Sequence, residues 1–229
     1  MTIFFTLEGN IGSGKSTLLM HLKEFFNKKK INVGYVDEPV DEWSQIKDSE
    51  GKTMLEKYYA DQPRYAFAFQ MMAYITRLVN IKKSIALKHD VILLERTMIT
   101  DKEVFAKMLY DDGKMSDVEY QIYNKWFNAF TADIPEMHYI YVKTTPCISL
   151  NRIAIRNRSG ESIPLEYLVK CDRYHEDWLN KIPENLILKI NSNHDFDKEQ
   201  YRYVCELVHD FISKRIPKKH VFCAFYDMW

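Results

Sequence analysis

Residues 9–16 read GNIGSGKS and satisfy the spacing G-x-x-x-x-G-K-[ST]. Gly9, Gly12 and Gly14 let the backbone turn so that its N–H groups point inward. Together with the start of a following helix they make a cradle for phosphate oxygens. Lys15 brings a point charge for the outer phosphates, Ser16 an oxygen for Mg2+, and Thr17 a nearby hydroxyl; Asn10, Ile11 and Ser13 complete the loop. The competing reading is a glycine-rich turn that binds nothing. Lys and Ser in register, between an apolar strand-like run and a helical one, speak against it. The expected ligand is a nucleoside triphosphate, ATP first, with Mg2+.

Such a loop serves hydrolases, motors, switches and kinases alike, so residues further along decide. Two carboxylates fall at predicted strand ends, Glu38 after the second strand and Glu95 at the end of the third. Ligands of a doubly wound sheet sit beyond those ends. Phosphoryl transfer needs an acceptor oxygen in line and a group to take its proton. Glu38 is placed for the proton, Glu95 for Mg2+ beside Ser16, and Arg96 for bridging donor and acceptor phosphates. A lone strand-end Glu is ordinarily a solvated loop residue; two at the edge that carries the loop favour function. Ala66, Phe69, Gln70, Ala73 and Arg77 share one face of a predicted helix. An amide and a guanidinium buried there unpaired would be costly, and a flat ligand with hydrogen-bonding edges would satisfy both. The alternative leaves Arg77 in water.

The elements that must position these residues alternate. Strands are predicted at 3–7, 31–39, 91–95, 137–143 and 185–190. Helices are predicted at 16–30, 63–88, near 100–110, 116–131, 145–156, 166–179 and 197–214. Leu18, Leu19, Leu22, Phe25 and Phe26 set the period of the first. This alternation predicts an α/β fold with a parallel sheet covered by helices on both faces. No repeat, low-complexity tract or linker interrupts it, so residues 1–229 are expected to form one domain. The tail KKHVFCAFYDMW (218–229) stands outside the alternation, and its aromatic content predicts packing on its own domain.

Composition excludes several classes. Lys plus Arg equals Asp plus Glu at 32 each, which argues against nucleic acid as the main partner. The four cysteines, Cys147, Cys171, Cys205 and Cys223, show no C-x-x-C spacing and read as free thiols of a reducing compartment. His175-Glu176 is not a zinc motif, because position 179 is Leu, and Trp178 reads as core or interface. No apolar run reaches the ~18 residues of a membrane span. A soluble, cytoplasmic protein is expected.

EGNIGSGKST, EPVDEW (38–43), FQMMAYITR (69–77), ERTMITDKEVFA (95–106) and RNRSGESIPLEYL (156–168), in this order, resemble the deoxynucleoside kinases over residues 3 to 190. The resemblance implies a P-loop kinase fold with a five-stranded parallel sheet and a lid, at about 156–164 here. It also implies a homodimer, and transfer of the γ-phosphate of ATP to the 5′-hydroxyl of a deoxynucleoside in nucleotide salvage. By that resemblance Glu38 is the general base and Arg96 holds the 5′-oxygen and the developing charge. Gln70 reads the base edge, Phe69 and Phe105 sandwich the base, and Trp43 lines the pocket. Tyr59 and Glu161 hold the 3′-hydroxyl, while Arg152, Arg156 and Arg158 close on the phosphates.

Arg77 and Asp101 stand where thymidine-preferring members carry apolar residues, and Ala73 leaves room beside them. The resemblance is therefore to the deoxycytidine- and deoxyguanosine-type members, and implies deoxycytidine, deoxyadenosine or deoxyguanosine over thymidine. Chemistry agrees, since thymine's methyl wants an apolar wall and Asp101 can accept from an exocyclic amine or pair with Arg77. The lid is one residue shorter than in some relatives, and Thr97 stands where serine is commoner. Two other readings compete: a nucleoside monophosphate kinase, and a non-catalytic member of the same fold. The first usually presents an Asp-Arg sequence after its second or third strand, and none stands there in this chain. Lys15, Ser16, Glu38, Glu95 and Arg96 all being present speaks against the second.

Overall fold

Side chains of a strand alternate between its two faces, and here both faces are apolar. Phe4 of β1 (Ile3–Glu8) packs on one side of the sheet, and Phe5 and Leu7 on the other. Ile92 and Leu94 of β3 (Val91–Glu95) join Phe4, while Val91 and Leu93 join Phe5. Buried on both faces, the strands need helices on both sides, which parallel crossovers supply. The computed structural model describes residues 2–158 and 161–216. With β2 (Val33–Val36), β4 (Met137–Lys143) and β5 (Ile187–Asn191), the strands form one all-parallel sheet in the order β2-β3-β1-β4-β5. Leu7 pairs with Glu95 on one side and Ile140 on the other. The end of β1, and the glycine loop after it, therefore lies beside Glu95.

The helices are α1 (Lys15–Lys28), α2 (Val40–Gln45), α3 (Met54–Ala60), α4 (Gln62–Ile85), α5 (Met98–Thr100), α6 (Lys107–Asp111), α7 (Asp117–Thr131), α8 (Pro146–Arg156), α9 (Leu165–Leu179) and α10 (Lys198–Ser213). α1 and α10 cover one face through Leu18, Leu22, Phe26, Val208 and Ile212. The other face carries Ala73 and Tyr74 of α4, Tyr123 and Phe127 of α7, and Trp178 and Leu179 of α9. Trp178 is thus a core residue, as its spacing suggested.

The structure departs from expectation mainly between β2 and α4. β2 ends at Val36, short of the predicted 31–39, and α2 and α3 fill a stretch for which no element is predicted. α3 carries a legible signal, the capping box T-x-x-E. Glu56 N donates to Thr53 Oγ1 at 3.2 Å and Thr53 N donates to Glu56 Oε2 at 2.7 Å. α2 has no side-chain cap and hangs on the burial of Trp43. The segment read as a helix near 100–110 runs from Met98 to Asp111, with a π-helical turn over Asp101–Ala106. Its start is fixed by Thr97, whose Oγ1 accepts Ile99 N at 3.1 Å. α4 begins one residue before the predicted 63–88 and ends three short of it. A 3-10 turn, Glu184–Leu186, precedes β5. The tail 218–229, Cys223 and lid residues 159–160 lie outside the described residues. Among the described residues no helix is long and apolar enough to cross a membrane.

Candidate active site

The glycine loop is built by close backbone approach. Gly9 has φ 144° and Gly12 φ 76°; a Cβ would lie 2.4 Å from Val142 O at the first and 2.5 Å from Ser149 O at the second. The loop is tied down from behind. Asn10 Nδ2 donates to Leu168 O at 2.9 Å, and Arg152 Nη1 donates to Ser13 O at 3.4 Å. Lys15 Nζ donates to Asn10 O at 2.7 Å and Gly9 O at 3.2 Å. Burial, and then the charge of Arg96, bring Lys15 down to about 7, although Glu95, Glu38 and Glu8 pull it upward. Ser16 Oγ donates to Glu95 Oε1 at 2.6 Å, so a hydroxyl and a carboxylate meet where the loop enters α1.

Beyond the loop, Arg77 of α4 is buried between two carboxylates, hydrogen-bonded to Glu38 through Nη2 and to Asp101 through Nη1. Arg96 Nε lies 3.5 Å from the same Glu38 oxygen. Burial works against the charge of Glu38, but Arg77, Arg96, Lys15 and Arg158 outweigh it and hold the carboxyl down at about 2. Arg96 has φ 63°, a left-handed backbone that costs a side-chain-bearing residue about 1–2 kcal/mol. Its N–H still donates to Leu7 O at 3.1 Å, so the turn occurs where the β1–β3 ladder ends. Glu8, buried beneath, accepts from Thr100 Oγ1 at 2.6 Å and Thr6 Oγ1 at 2.7 Å. That bond fixes the helix turn that carries Asp101.

Aromatic side chains wall the space between. Trp43 meets Phe69 edge-on at 5.6 Å, and Tyr58 stacks on Phe69 at 4.5 Å. The Arg77 guanidinium lies 5.0 Å from the Trp43 ring centroid and that of Arg96 5.1 Å from Phe105. Gln70 is 1% exposed, and its Oε1, like Asp101 Oδ2, finds no partner among the described residues. On the lid side the Glu161 side chain is buried and accepts from Arg156, with Arg158 at 4.0 Å. Arg152 also donates to Asp195 Oδ1 at 3.0 Å and Ser192 Oγ at 3.3 Å.

One cavity of about 510 Å3 joins these groups. Lining it are Ile11, Gly12, Gly14, Lys15, Ser16 and Thr17 from the loop, and Arg152, Arg156, Arg158 and Glu161 from α8 and the lid. Glu38, Trp43, Tyr59, Phe69, Gln70, Ala73, Arg77, Glu95, Arg96, Asp101 and Phe105 line it too. Gly9, Asn10 and Ser13 stand behind this surface and shape the loop. Sequence reasoning missed Leu55 and Tyr58 of α3, together with Tyr167, Ser192, Asp195 and Tyr201. The capping box at Thr53 was the signal for the first two; nothing in composition or period marked the others.

A strand–glycine loop–helix at the switch point of a 2-3-1-4-5 parallel sheet defines a P-loop kinase fold. The deoxynucleoside kinase profile matches residues 5–213, and the chain belongs to that family. It is 35% identical over 219 residues to a probable deoxycytidine kinase of fowlpox virus, covering 91% of this chain and 88% of that one. It is 32% identical over 240 residues to human deoxycytidine kinase, with 91% and 90% covered. A putative kinase of invertebrate iridescent virus 3 is 31% identical over 196 residues, with 83% and 90% covered.

Proposed function

We propose that this chain moves the γ-phosphate of ATP onto the 5′-hydroxyl of a deoxynucleoside, in nucleotide salvage. The observation that carries the reading is the join. A phosphate loop and an ionised, doubly arginine-paired Glu38 open into one cavity lined by Phe69, Gln70 and Phe105. Glu38 accepts the 5′-hydroxyl proton as the O5′–P bond forms and the bond to the β-phosphate oxygen breaks. A weak base suffices if the transition state is loose and the proton leaves late. Arg96 faces the developing charge at the 5′-oxygen, and Lys15 and the loop N–H groups hold the donor phosphates. Arg152, Arg156 and Arg158 approach them from the lid side. Gln70 reads the base edge, which would satisfy its orphaned Oε1. Phe69 and Phe105 flank the base beside Trp43, and Tyr59 and Glu161 hold the 3′-hydroxyl.

The residues present suit Mg2+. Among the described residues no cluster of three or more His, Cys, Asp or Glu is placed to hold a metal. Mg2+ needs none, because it is commonly bound through one or two carboxylates plus substrate phosphates. Ser16 and Glu95, already hydrogen-bonded to each other, are hard oxygen donors of that kind. When bound, the ion supplies charge neutralisation of the phosphates.

Deoxycytidine, deoxyadenosine and deoxyguanosine are favoured over thymidine. The Arg77–Asp101 pair is a polar wall where thymine's methyl would need an apolar one, and the named relatives include human deoxycytidine kinase and a probable deoxycytidine kinase of fowlpox virus. The chain acts as one domain, in the cytoplasm, where the free thiols of Cys147, Cys171 and Cys205 are at home. It works as a homodimer. Ile75 and Val79 of α4 and Val118, Ile122, Trp126 and Phe130 of α7 form an exposed apolar stripe over two helices joined by the bond from Tyr74 Oη to Trp126 O. The test supplies MgATP with each of the four deoxynucleosides and, separately, their 5′-monophosphates. Turnover of nucleosides alone, deoxycytidine or a purine ahead of thymidine, is expected. Turnover of monophosphates alone would overturn the reading.

A further inference from the structure

Arg96 is held from several sides, and one of its contacts comes from outside the cavity. Its backbone is left-handed, its Nε faces Glu38 at 3.5 Å, and its guanidinium lies over Phe105. Its Nη1 lies 3.5 Å from Nε2 of His175, a residue of α9 with no solvent exposure. His175 Nδ1 lies 2.7 Å from the carbonyl oxygen of Cys171, one turn earlier in the same helix. A carbonyl can only accept, so Nδ1 carries the proton and Nε2 presents its lone pair to Arg96. The imidazole also meets Phe105 edge-on at 6.3 Å, so the ring under the guanidinium and the acceptor beside it brace each other. Burial, and then the charge of Arg96, push the imidazole well below the ordinary histidine value, which keeps it neutral as that geometry requires.

We propose that His175 is a positioning residue for phosphoryl transfer: its Nε2 accepts a hydrogen bond from Arg96 and aims that guanidinium at Glu38 and the attacking oxygen. This rests on the phosphotransferase reading above. It differs from ordinary core packing because a filler of equal volume at position 175 would leave Arg96 Nη1 without an acceptor. The guanidinium would then lose its fixed orientation toward Glu38 and the site of charge development.

The test is a double-mutant cycle read in kcat, KM and Tm, using His175→Leu, His175→Gln and Arg96→Lys. His175→Leu should lower kcat about tenfold, with KM for either substrate changed by less than about twofold. His175→Gln, which restores an acceptor oxygen, should recover most of that loss. In the Arg96→Lys background His175→Leu should change kcat by less than about twofold. Equal losses in both backgrounds, full activity of His175→Leu, or no rescue by Gln would overturn the proposal. If the His175 variants do not fold, long-range 1H–15N spectra of histidine-labelled wild-type and Arg96→Lys protein decide. A neutral His175 protonated at Nδ1, with an Nε2 resonance that shifts in Arg96→Lys, supports it; the Nε2–H tautomer or an unmoved resonance overturns it. If wild-type protein turned over no substrate, the phosphotransferase reading would fail, while the spectra would still judge the contact itself.

Discussion

Lys15 Nζ is held among carbonyls of its own loop, and its pKa of about 7 leaves it roughly half charged at neutral pH. Contact with anionic phosphates favours the charged form and raises that pKa. Nucleotide binding should therefore take up a proton, approaching one per site as pH rises to roughly 8 and vanishing below roughly 6. Calorimetry of MgATP binding in buffers of different ionisation enthalpy reads this directly, and Lys15→Met should abolish the uptake. Buffer-independent heats would contradict it. Arg77 invites a second residue-scale prediction, because Glu38 and Asp101 both depend on it. Arg77→Met strands Asp101 and takes one of the two arginines from Glu38, and should cost about 3–5 kcal/mol by denaturant unfolding. Adding Asp101→Ala should restore part of that and raise kcat/KM for thymidine relative to deoxycytidine by about tenfold or more. An unchanged ratio would remove Arg77 and Asp101 from base selection. At this scale the sequence was informative where a residue type is rare in its setting: Gln70 and Arg77 on an apolar helix face, Glu38 and Glu95 at strand ends. His175 was opaque, because its partner Arg96 is 79 residues away and a single buried histidine carries no pattern.

Elements decide how firmly those residues are held. α3 presents Leu55, Tyr58 and Tyr59 to the cavity, and its first turn depends on the Thr53–Glu56 box. Thr53→Ala should destabilise the protein by about 1 kcal/mol and raise KM for the deoxynucleoside severalfold while leaving KM for ATP unchanged. A shift in both constants, or in neither, would separate α3 from the acceptor site. The strands were the most legible elements, because each is a short apolar run closed by a turn residue or a charge. α4 was legible from its period and Pro63. The stretch 40–60 was not, because two helices of six and seven residues are too short to show a period. The π-helical turn over Asp101–Ala106 was equally invisible, since an extra residue per turn leaves no compositional trace. Its effect is large all the same: it sets the angular offset between Asp101 and Phe105, both of which line the cavity.

At the scale of the whole molecule the alternation of strands and helices implies parallel crossovers, and the observed order β2-β3-β1-β4-β5 brings Gly9, Glu38 and Glu95 to one edge. The surface is less determined by such rules. Trp126 and Phe130, 42% and 47% exposed and stacked on each other, lie on the stripe proposed as the subunit contact. Trp126→Glu with Phe130→Glu should convert a dimer to a monomer in analytical ultracentrifugation. A wild-type monomer at micromolar concentration would contradict that assignment without touching the chemistry. The central claim is that Glu38 takes the proton as phosphate passes from the loop to a 5′-hydroxyl. Its most direct measurement is transfer of label from γ-32P-ATP to deoxycytidine by the wild type and by Glu38→Gln, with ATP binding checked in both. Labelled deoxycytidine 5′-monophosphate is expected from the wild type, with a rate about 10²–10⁴-fold lower in the variant at unchanged ATP affinity. Equal transfer by both proteins would contradict it.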